Sequence, residues 1–210
     1  MKKNRWKLIL PLFALFIALG CSGEGTTDDT ETTNMEDSAE NTDQDMKPGA
    51  IAEVKNTENK KVGTVTFSEH ENHVMIEAEM YGLQPGYHGF HIHEKGVCEP
   101  DAAEGPFTTA EGHFNPDDST HSEHAGDMPS LFVNEDGKAE FSAAFDRVSM
   151  EQLLEQEKAI IIHASPDNLA NIPDRYESEG KPGPDEETMK TGDAGDRQAC
   201  GVIKSAEGTE

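Results

Sequence analysis

Short segments with an apolar residue at every second position constrain the fold of this chain most strongly. In residues 73–80, Val74, Ile76, Ala78 and Met80 alternate with mostly polar side chains, as in a strand that lays one face on a core. Seven further segments are predicted as strands: residues 51–56, 62–68, 88–93, 131–134, 138–145, 159–163 and 199–204. Short strands of this number, separated by turn residues, indicate an all-β sandwich or barrel.

Helix and loop signals complete this pattern. Only residues 150–156 have helical character, while residues 134–138 predict a hairpin turn because Gly137 tolerates the positive φ that such turns need. Residues 94–129 and 165–198 lack any periodicity. Because loops of this length inside one domain are typically functional, we expect these two to carry a site. The domain is predicted over residues 50–204, with residues 205–210 as a tail.

Histidines cluster in the first long loop and on the strands beside it. They are His91 and His93 on one strand, His113, His121 and His124 with Asp127 in the loop, and His163 at a later strand end. Copper and zinc favour neutral imidazole ligands, so this set predicts a copper/zinc redox centre. The loop members form a closed set of three imidazoles and one carboxylate, as in structural zinc sites. The alternative is a polar loop that holds histidines by chance, with His163 as a core histidine.

The first residues predict export from the cytoplasm. Four basic residues precede an apolar run at residues 8–19, which is closed by small residues, so we predict a signal peptide at residues 1–20. Residues 18–21, Ala-Leu-Gly-Cys, resemble a bacterial lipobox. This motif predicts lipidation of Cys21 and an extracytoplasmic, membrane-anchored location. The alternative is a freely secreted chain.

The acidic charge of the chain excludes classes of binding partner, and its three cysteines indicate one disulfide. Residues 22–46 hold nine acids and no Lys or Arg, which predicts a disordered tether over residues 21–49. The formal net charge of −25 argues against nucleic-acid binding and against electrostatic attachment to anionic lipid. Membrane contact is therefore expected only through Cys21. If Cys21 carries lipid, Cys98 and Cys200 remain for one disulfide, because exported proteins tend to oxidise cysteines in pairs.

Four motifs together resemble the copper/zinc superoxide dismutase family, in its exported bacterial branch. They are Gly-Phe-His-Ile-His at 89–93, Gly-His-Phe-Asn-Pro at 112–116, His-Ala-Gly-Asp at 124–127 and the run from residue 186 to residue 203. The resemblance covers about residues 50–204. It implies an eight-stranded Greek-key β-barrel, related to the immunoglobulin-like sandwich, with two long functional loops. It also implies conversion of two superoxide anions to dioxygen and hydrogen peroxide by copper redox cycling, and leaves the oligomeric state open.

The resemblance also implies roles for individual residues. It assigns copper to His91, His93, His113 and His163, and zinc to His113, His121, His124 and Asp127, so that His113 bridges both ions and takes part in catalysis. It makes Asp167 the acid that joins the two metal sites through ligand imidazoles, although a turn aspartate is the alternative. It pairs Cys98 with Cys200 and gives His88 a supporting role without metal. His70 and His73 are expected to be solvated.

Positive charge that attracts superoxide must be local in this chain. From Lys47 onward, 33 acids stand against 13 Lys and Arg, so the net field opposes an anionic substrate. The resemblance implies docking by Arg197 and guidance by Lys190, Glu186 and Glu187. Asp196 and the acidic stretch 171–184 depart from the family pattern, and they bear on the rate rather than on the reaction.

Two other functions compete with this interpretation. One is a catalytically weak or inactive relative, which zinc stabilises and which binds copper at the cell surface. The other is a zinc hydrolase, which would need an open zinc position beside a general base.

Overall fold

The computed structural model describes residues 47–155 and 157–207. The predicted signal peptide, Cys21, most of the predicted tether and the last three residues lie outside the described residues. Within the described ranges, no helix has the length and apolar character that crossing a membrane requires.

Strands dominate the described part of the chain. They are β1 (Ala50–Asn56), β2 (Lys61–His70), β3 (His73–Met80), β4 (Gly86–His88), β5 (Phe90–His93), β6 (Leu131–Val133), β7 (Ala139–Phe145), β8 (Ala159–His163), β9 (Glu177–Ser178), β10 (Lys181–Pro182) and β11 (Arg197–Ser205). The helices are α1 (Met150–Glu155) and α2 (Thr188–Thr191), with a 3-10 turn at Thr108–Ala110. Helix α1 begins with a capping box, in which Ser149 Oγ accepts from Gln152 N and Gln152 Oε1 accepts from Ser149 N.

The strands close into an antiparallel barrel. Seven of them form one sheet in the order β5-β8-β11-β1-β2-β3-β7, and β4 pairs separately with β6. A hairpin turn joins β6 to β7, where Asn134 N donates to Lys138 O at 2.8 Å. Strand β3 precedes β4 in the chain but lies beside β7, which is a Greek-key connection. The predicted all-β Greek-key barrel is confirmed, and it has eight strands when β4 and β5 count as one.

Gly89 is the point at which the predicted strand 88–93 divides. Its carbonyl still accepts from His163 N at 2.8 Å, so β4 and β5 form one bent strand that changes partner from β6 to β8. A Cβ at position 89 would lie 2.6 Å from Ala194 Cβ. The bend therefore depends on a residue without a side chain.

The core fills the barrel between the inward faces of these strands. The fully buried side chains include Val54, Val65, Phe67, Ile76, Phe90, Ile92, Leu131, Ile160, Ile162 and Ile203. Strand β5 is buried on both faces, because loop residues cover its outward histidines. The site therefore lies between the barrel wall and its loops.

The second predicted loop, residues 165–198, contains more regular structure than its sequence indicates. Strands β9 and β10 form a short hairpin within it, α2 follows, and β11 begins at Arg197 rather than at Ala199. Strands β9 and β10 and helix α2 are only two to four residues long. Such short elements have no measurable period, which is why the pattern did not reveal them.

Candidate metal centre

Loop segments that carry histidines pair with the edge of β5 that faces away from β8. One edge of β5 pairs with β8, and on the other edge Phe114 N donates to Ile92 O at 2.8 Å while Ile92 N donates to Gly126 O at 3.0 Å. Isolated bridges then join His93 to His113 and His91 to Asp127. Two loop segments thus extend the sheet and bring their ligands beside those of β5.

Four imidazoles form the first group. They are His91, His93, His113 and His163, and one ring nitrogen from each lies within 4.8 Å of the others. All four rings are buried. The nitrogens His91 Nδ1, His93 Nε2, His113 Nε2 and His163 Nε2 have no hydrogen-bond partner among residues 47–155 and 157–207. Buried polar atoms are rarely left unpaired, so this convergence fits a bound cation.

In His91, His93 and His163, a hydrogen bond at the other ring nitrogen determines which nitrogen carries the proton and which keeps a lone pair. His93 Nδ1 donates to Glu111 O at 2.8 Å and His163 Nδ1 donates to Gly195 O at 2.9 Å. Because a carbonyl oxygen only accepts, the proton resides on Nδ1 and Nε2 keeps its lone pair. His91 is reversed, since its Nε2 donates to Asp167 Oδ2 at 2.7 Å and leaves Nδ1 bare.

The second group consists of His113, His121, His124 and Asp127. The carboxylate oxygens of Asp127 lie 2.8 Å from His113 Nδ1, 2.9 Å from His121 Nδ1 and 3.2 Å from His124 Nδ1. Three imidazoles and one carboxylate, all buried, form a closed four-ligand set of the kind that would suit tetrahedral zinc. The ring of His113 belongs to both groups, with Nδ1 in this one and Nε2 in the first.

Asp167 joins the two groups. Its carboxylate accepts from His91 Nε2 at 2.7 Å and from His121 Nε2 at 2.8 Å, and its side chain is 1 % exposed. Gly192, which ends α2 with a φ of 59°, lies directly against this carboxylate. A Cβ there would collide with Asp167 Oδ1 and approach His121 Nε2 to 2.5 Å.

Burial and carboxylates set the charges of the centre. Burial lowers the pKa of His93 well below its ordinary value, that of His113 to about 4 and that of His163 to about 3. These rings are therefore neutral at pH 7, the state that binds metals. Burial also lowers the pKa of His121, but the neighbouring carboxylates of Asp127 and Asp167 outweigh this and raise it to about 9.

The two buried aspartates remain ionised. Burial alone would raise the pKa of Asp127 and Asp167, yet hydrogen bonds from their histidine neighbours hold both pKa values well below the usual carboxyl range. The centre therefore combines these two carboxylates with the neutral rings of His93, His113 and His163, and the carboxylates hold a proton on His121.

A cavity of about 560 Å³ opens onto the first group. His93, His113 and His163 form part of its wall, together with Met189, Lys190 and Arg197. Arg197 pairs across the sheet with His163, and its guanidinium donates to Phe107 O at 2.7 Å and to Glu111 O at 2.6 Å. A fixed cation thus lines the same cavity as three of the four histidines.

Two of the three predicted guiding residues line the cavity, and the third does not. Lys190 and Glu186 both line the cavity and form an exposed ion pair at 2.7 Å. The exposed side chain of Glu187 does not belong to the cavity wall, although its backbone oxygen accepts from Thr191 N within α2. Asp196 is exposed next to Arg197.

The disulfide between Cys98 and Cys200 is present and confirms the predicted pairing. It ties the first loop to β11 and packs with Phe107, Ala110 and Ile161 in a small second core. Because Phe107 also holds Arg197 through its carbonyl oxygen, the disulfide supports the cation beside the histidines.

Three supporting features were not predicted from the sequence. The side chain of Lys158 is buried, donates to Glu94 O at 3.0 Å and lies 3.3 Å from Glu94 Oε2, while Glu94 Oε1 accepts from Asn115 N at 3.0 Å. This network joins the ends of the segments that carry His93 and His113. A lysine next to an apolar strand was the only sequence signal for this network.

The other two features support His163 and Asp167. Gln198 Nε2 donates to His163 O at 2.7 Å, and the absence of a side chain at Gly192 leaves space for the Asp167 carboxylate.

Comparison with known proteins identifies relatives of this chain. Residues 61–203 match the family model described as copper/zinc superoxide dismutase. The chain is 45% identical over 168 residues to a superoxide dismutase [Cu-Zn] of Mycolicibacterium paratuberculosis, covering 74% of each protein. It is 35% identical over 155 residues to the superoxide dismutase [Cu-Zn] of Escherichia coli, covering 69% of this chain and 80% of the relative.

Solved structures of similar fold cover most of the chain. A SOD-like protein from Bacillus subtilis has a TM-score of 0.56 at 29% identity, over 72% of this chain and 96% of that one. The clock protein EA4 has a TM-score of 0.58 at 27% identity, over 74% of this chain and 94% of that one.

Proposed function

Because the chain belongs to the copper/zinc superoxide dismutase family, we propose that it converts two superoxide anions into dioxygen and hydrogen peroxide. The observation that carries this proposal is the convergence of four buried, unpartnered imidazole nitrogens beside the fixed guanidinium of Arg197.

The proposed ligands follow from the two donor groups. His91, His93, His113 and His163 hold copper, whereas His113, His121, His124 and Asp127 hold zinc. Bound copper supplies a one-electron redox couple, and redox-inert zinc supplies structural order. The zinc group is closed and offers no open position, which argues against a zinc hydrolase.

Residues of the chain itself bind and orient the substrate. Arg197 is restrained by two carbonyl oxygens, so its remaining N–H groups can dock a small anion without first losing side-chain freedom. Lys190 adds positive charge to the same cavity. These local cations oppose the repulsion expected from the acidic remainder of the chain.

Asp167 and His113 have separate roles in this proposal. Asp167 fixes the proton on Nε2 of both His91 and His121, so that each ring presents Nδ1 to its metal. His113 presents a nitrogen to each group and belongs to the cavity wall, so its Nε2 is the atom placed to take up and deliver a proton.

An activity assay and metal analysis on one purified sample test the function. We expect the copper- and zinc-loaded protein to dismutate superoxide, and His163→Ala to lose activity while it retains zinc and fold. A fully metallated wild type with no activity above a free-copper control refutes the proposal and leaves the alternative of an inactive, copper-binding relative.

We further propose that the chain is exported and anchored by lipid at Cys21. Its support is the order of basic, apolar and small residues ahead of Cys21 and the acidic composition after it. Wild-type cells should incorporate labelled palmitate into the protein, and Cys21→Ser should release it into the medium. A wild type without label would overturn the anchor, independently of activity.

A further inference from the structure

Two histidines face each other at the tip of the β2–β3 hairpin. His70 ends β2, His73 begins β3, and the register pairs them directly across the turn formed by Glu71 and Asn72. Their ring centroids lie 5.0 Å apart with an interplanar angle of 38°. Directly paired residues project to the same side of a sheet, so both imidazoles share one face.

This face is the outer one. The next residues along β3, Val74 and Ile76, alternate into the core, whereas His73 and Met75 point outward. His70 is exposed and His73 is half-buried. Neither ring is needed to fill the barrel.

The metal centre supplies an internal standard for the spacing. Imidazole pairs within its two donor groups have centroid separations from 4.0 Å, for His91 and His113, to 6.4 Å, for His91 and His93. The 5.0 Å of the hairpin pair falls inside this range. Rings at such a distance can direct one nitrogen each to a common ion.

We propose that His70 and His73 form a third transition-metal site, separate from the metal centre, and that its preferred ligand is Cu²⁺. Imidazole suits Cu²⁺, Ni²⁺ and Zn²⁺, and for a given nitrogen site affinity is highest for Cu²⁺. Water completes the coordination at the exposed tip. Glu69 and Glu71 beside the pair add negative charge, which favours any cation there. No residue of the metal centre lies on β2 or β3.

Equilibrium dialysis of the copper- and zinc-loaded protein against buffered Cu²⁺ tests this site. Wild type should take up a further equivalent of copper, whose electron paramagnetic resonance spectrum shows coupling to imidazole nitrogen. His70→Gln and His73→Gln should each lose this equivalent. Glu77→Gln, which removes an exposed carboxylate on the same face of β3, should keep it.

Two results would overturn the proposal. One is wild type that takes up no more copper than His70→Gln. The other is an equal loss in Glu77→Gln, which would mean that carboxylates of this acidic chain hold the copper. Dismutase activity enters neither measurement, so the third site and the proposed function can fail separately. Circular dichroism verifies that each variant is folded, as expected for substitutions at an exposed turn.

Discussion

Opening the disulfide should remove a large share of the stability of the metal-free protein. The Cys98–Cys200 bond closes a sequence separation of 102 residues. In the chain-entropy model, closing a loop of about 100 residues restricts the unfolded chain by about 4.7 kcal/mol at 25 °C. Domains of this kind have a total unfolding free energy of about 5–15 kcal/mol, so the reduced, metal-free chain should be near its folding threshold.

Urea unfolding of three metal-free samples measures this effect. They are the oxidised wild type, the reduced wild type and the double variant Cys98→Ala with Cys200→Ala. Metals are omitted because a ligand that binds only the folded state would mask the difference. The reduced and doubly substituted proteins should both lose several kcal/mol. A loss below about 1 kcal/mol in both would refute the loop-closure reasoning, whose typical value is about 2–4 kcal/mol.

The same bond should affect catalysis through Arg197. With the disulfide open, the loop that carries Phe107 is free to move, and the guanidinium loses a fixed acceptor. We expect kcat/KM to fall in reduced, fully metallated protein while copper content stays constant. Unchanged kcat/KM would show that other contacts suffice to hold Arg197.

Three further changes test other parts of the site. Asp167→Asn replaces a double acceptor by one oxygen and one amide donor, so zinc affinity should fall about 10- to 100-fold in a chelator competition, whereas Asp185→Asn should not alter it. Arg197→Glu should lower kcat/KM about 10- to 100-fold at low ionic strength, with unchanged copper content and a smaller difference in high salt; an equal rate would exclude a guiding role. Lys158→Met should cost about 2 kcal/mol in urea unfolding because Glu94 loses a charged partner, and a neutral result would mean that solvent already satisfies Glu94.

The sequence predicted the barrel because its strands repeat with a period that packing enforces. Segment 73–80 coincides with β3, whose alternate residues are buried. Segment 159–163 coincides with β8, which is buried along its whole length. The division at Gly89 was missed because backbone bending leaves no periodic signal. The requirement for glycine there comes from Ala194, which is distant in the chain and leaves no room for a Cβ at position 89.

The candidate ligands were also predictable, but their orientation was not. Residue types and spacing selected the histidines, whereas the choice between Nδ1 and Nε2 depends on the carbonyls of Glu111 and Gly195 and on the carboxylate of Asp167. These partners come from separate loops. Only the folded chain brings them together, so composition and periodicity carry no information about the tautomers.

Gly192 limits which substitutions the second loop can accept. Hydrogen is the largest substituent that fits between this backbone and the Asp167–His121 contact. A methyl group at this position would push the Asp167 carboxylate away from the rings of His91 and His121. A variant of this chain with a longer second loop should therefore keep glycine at position 192.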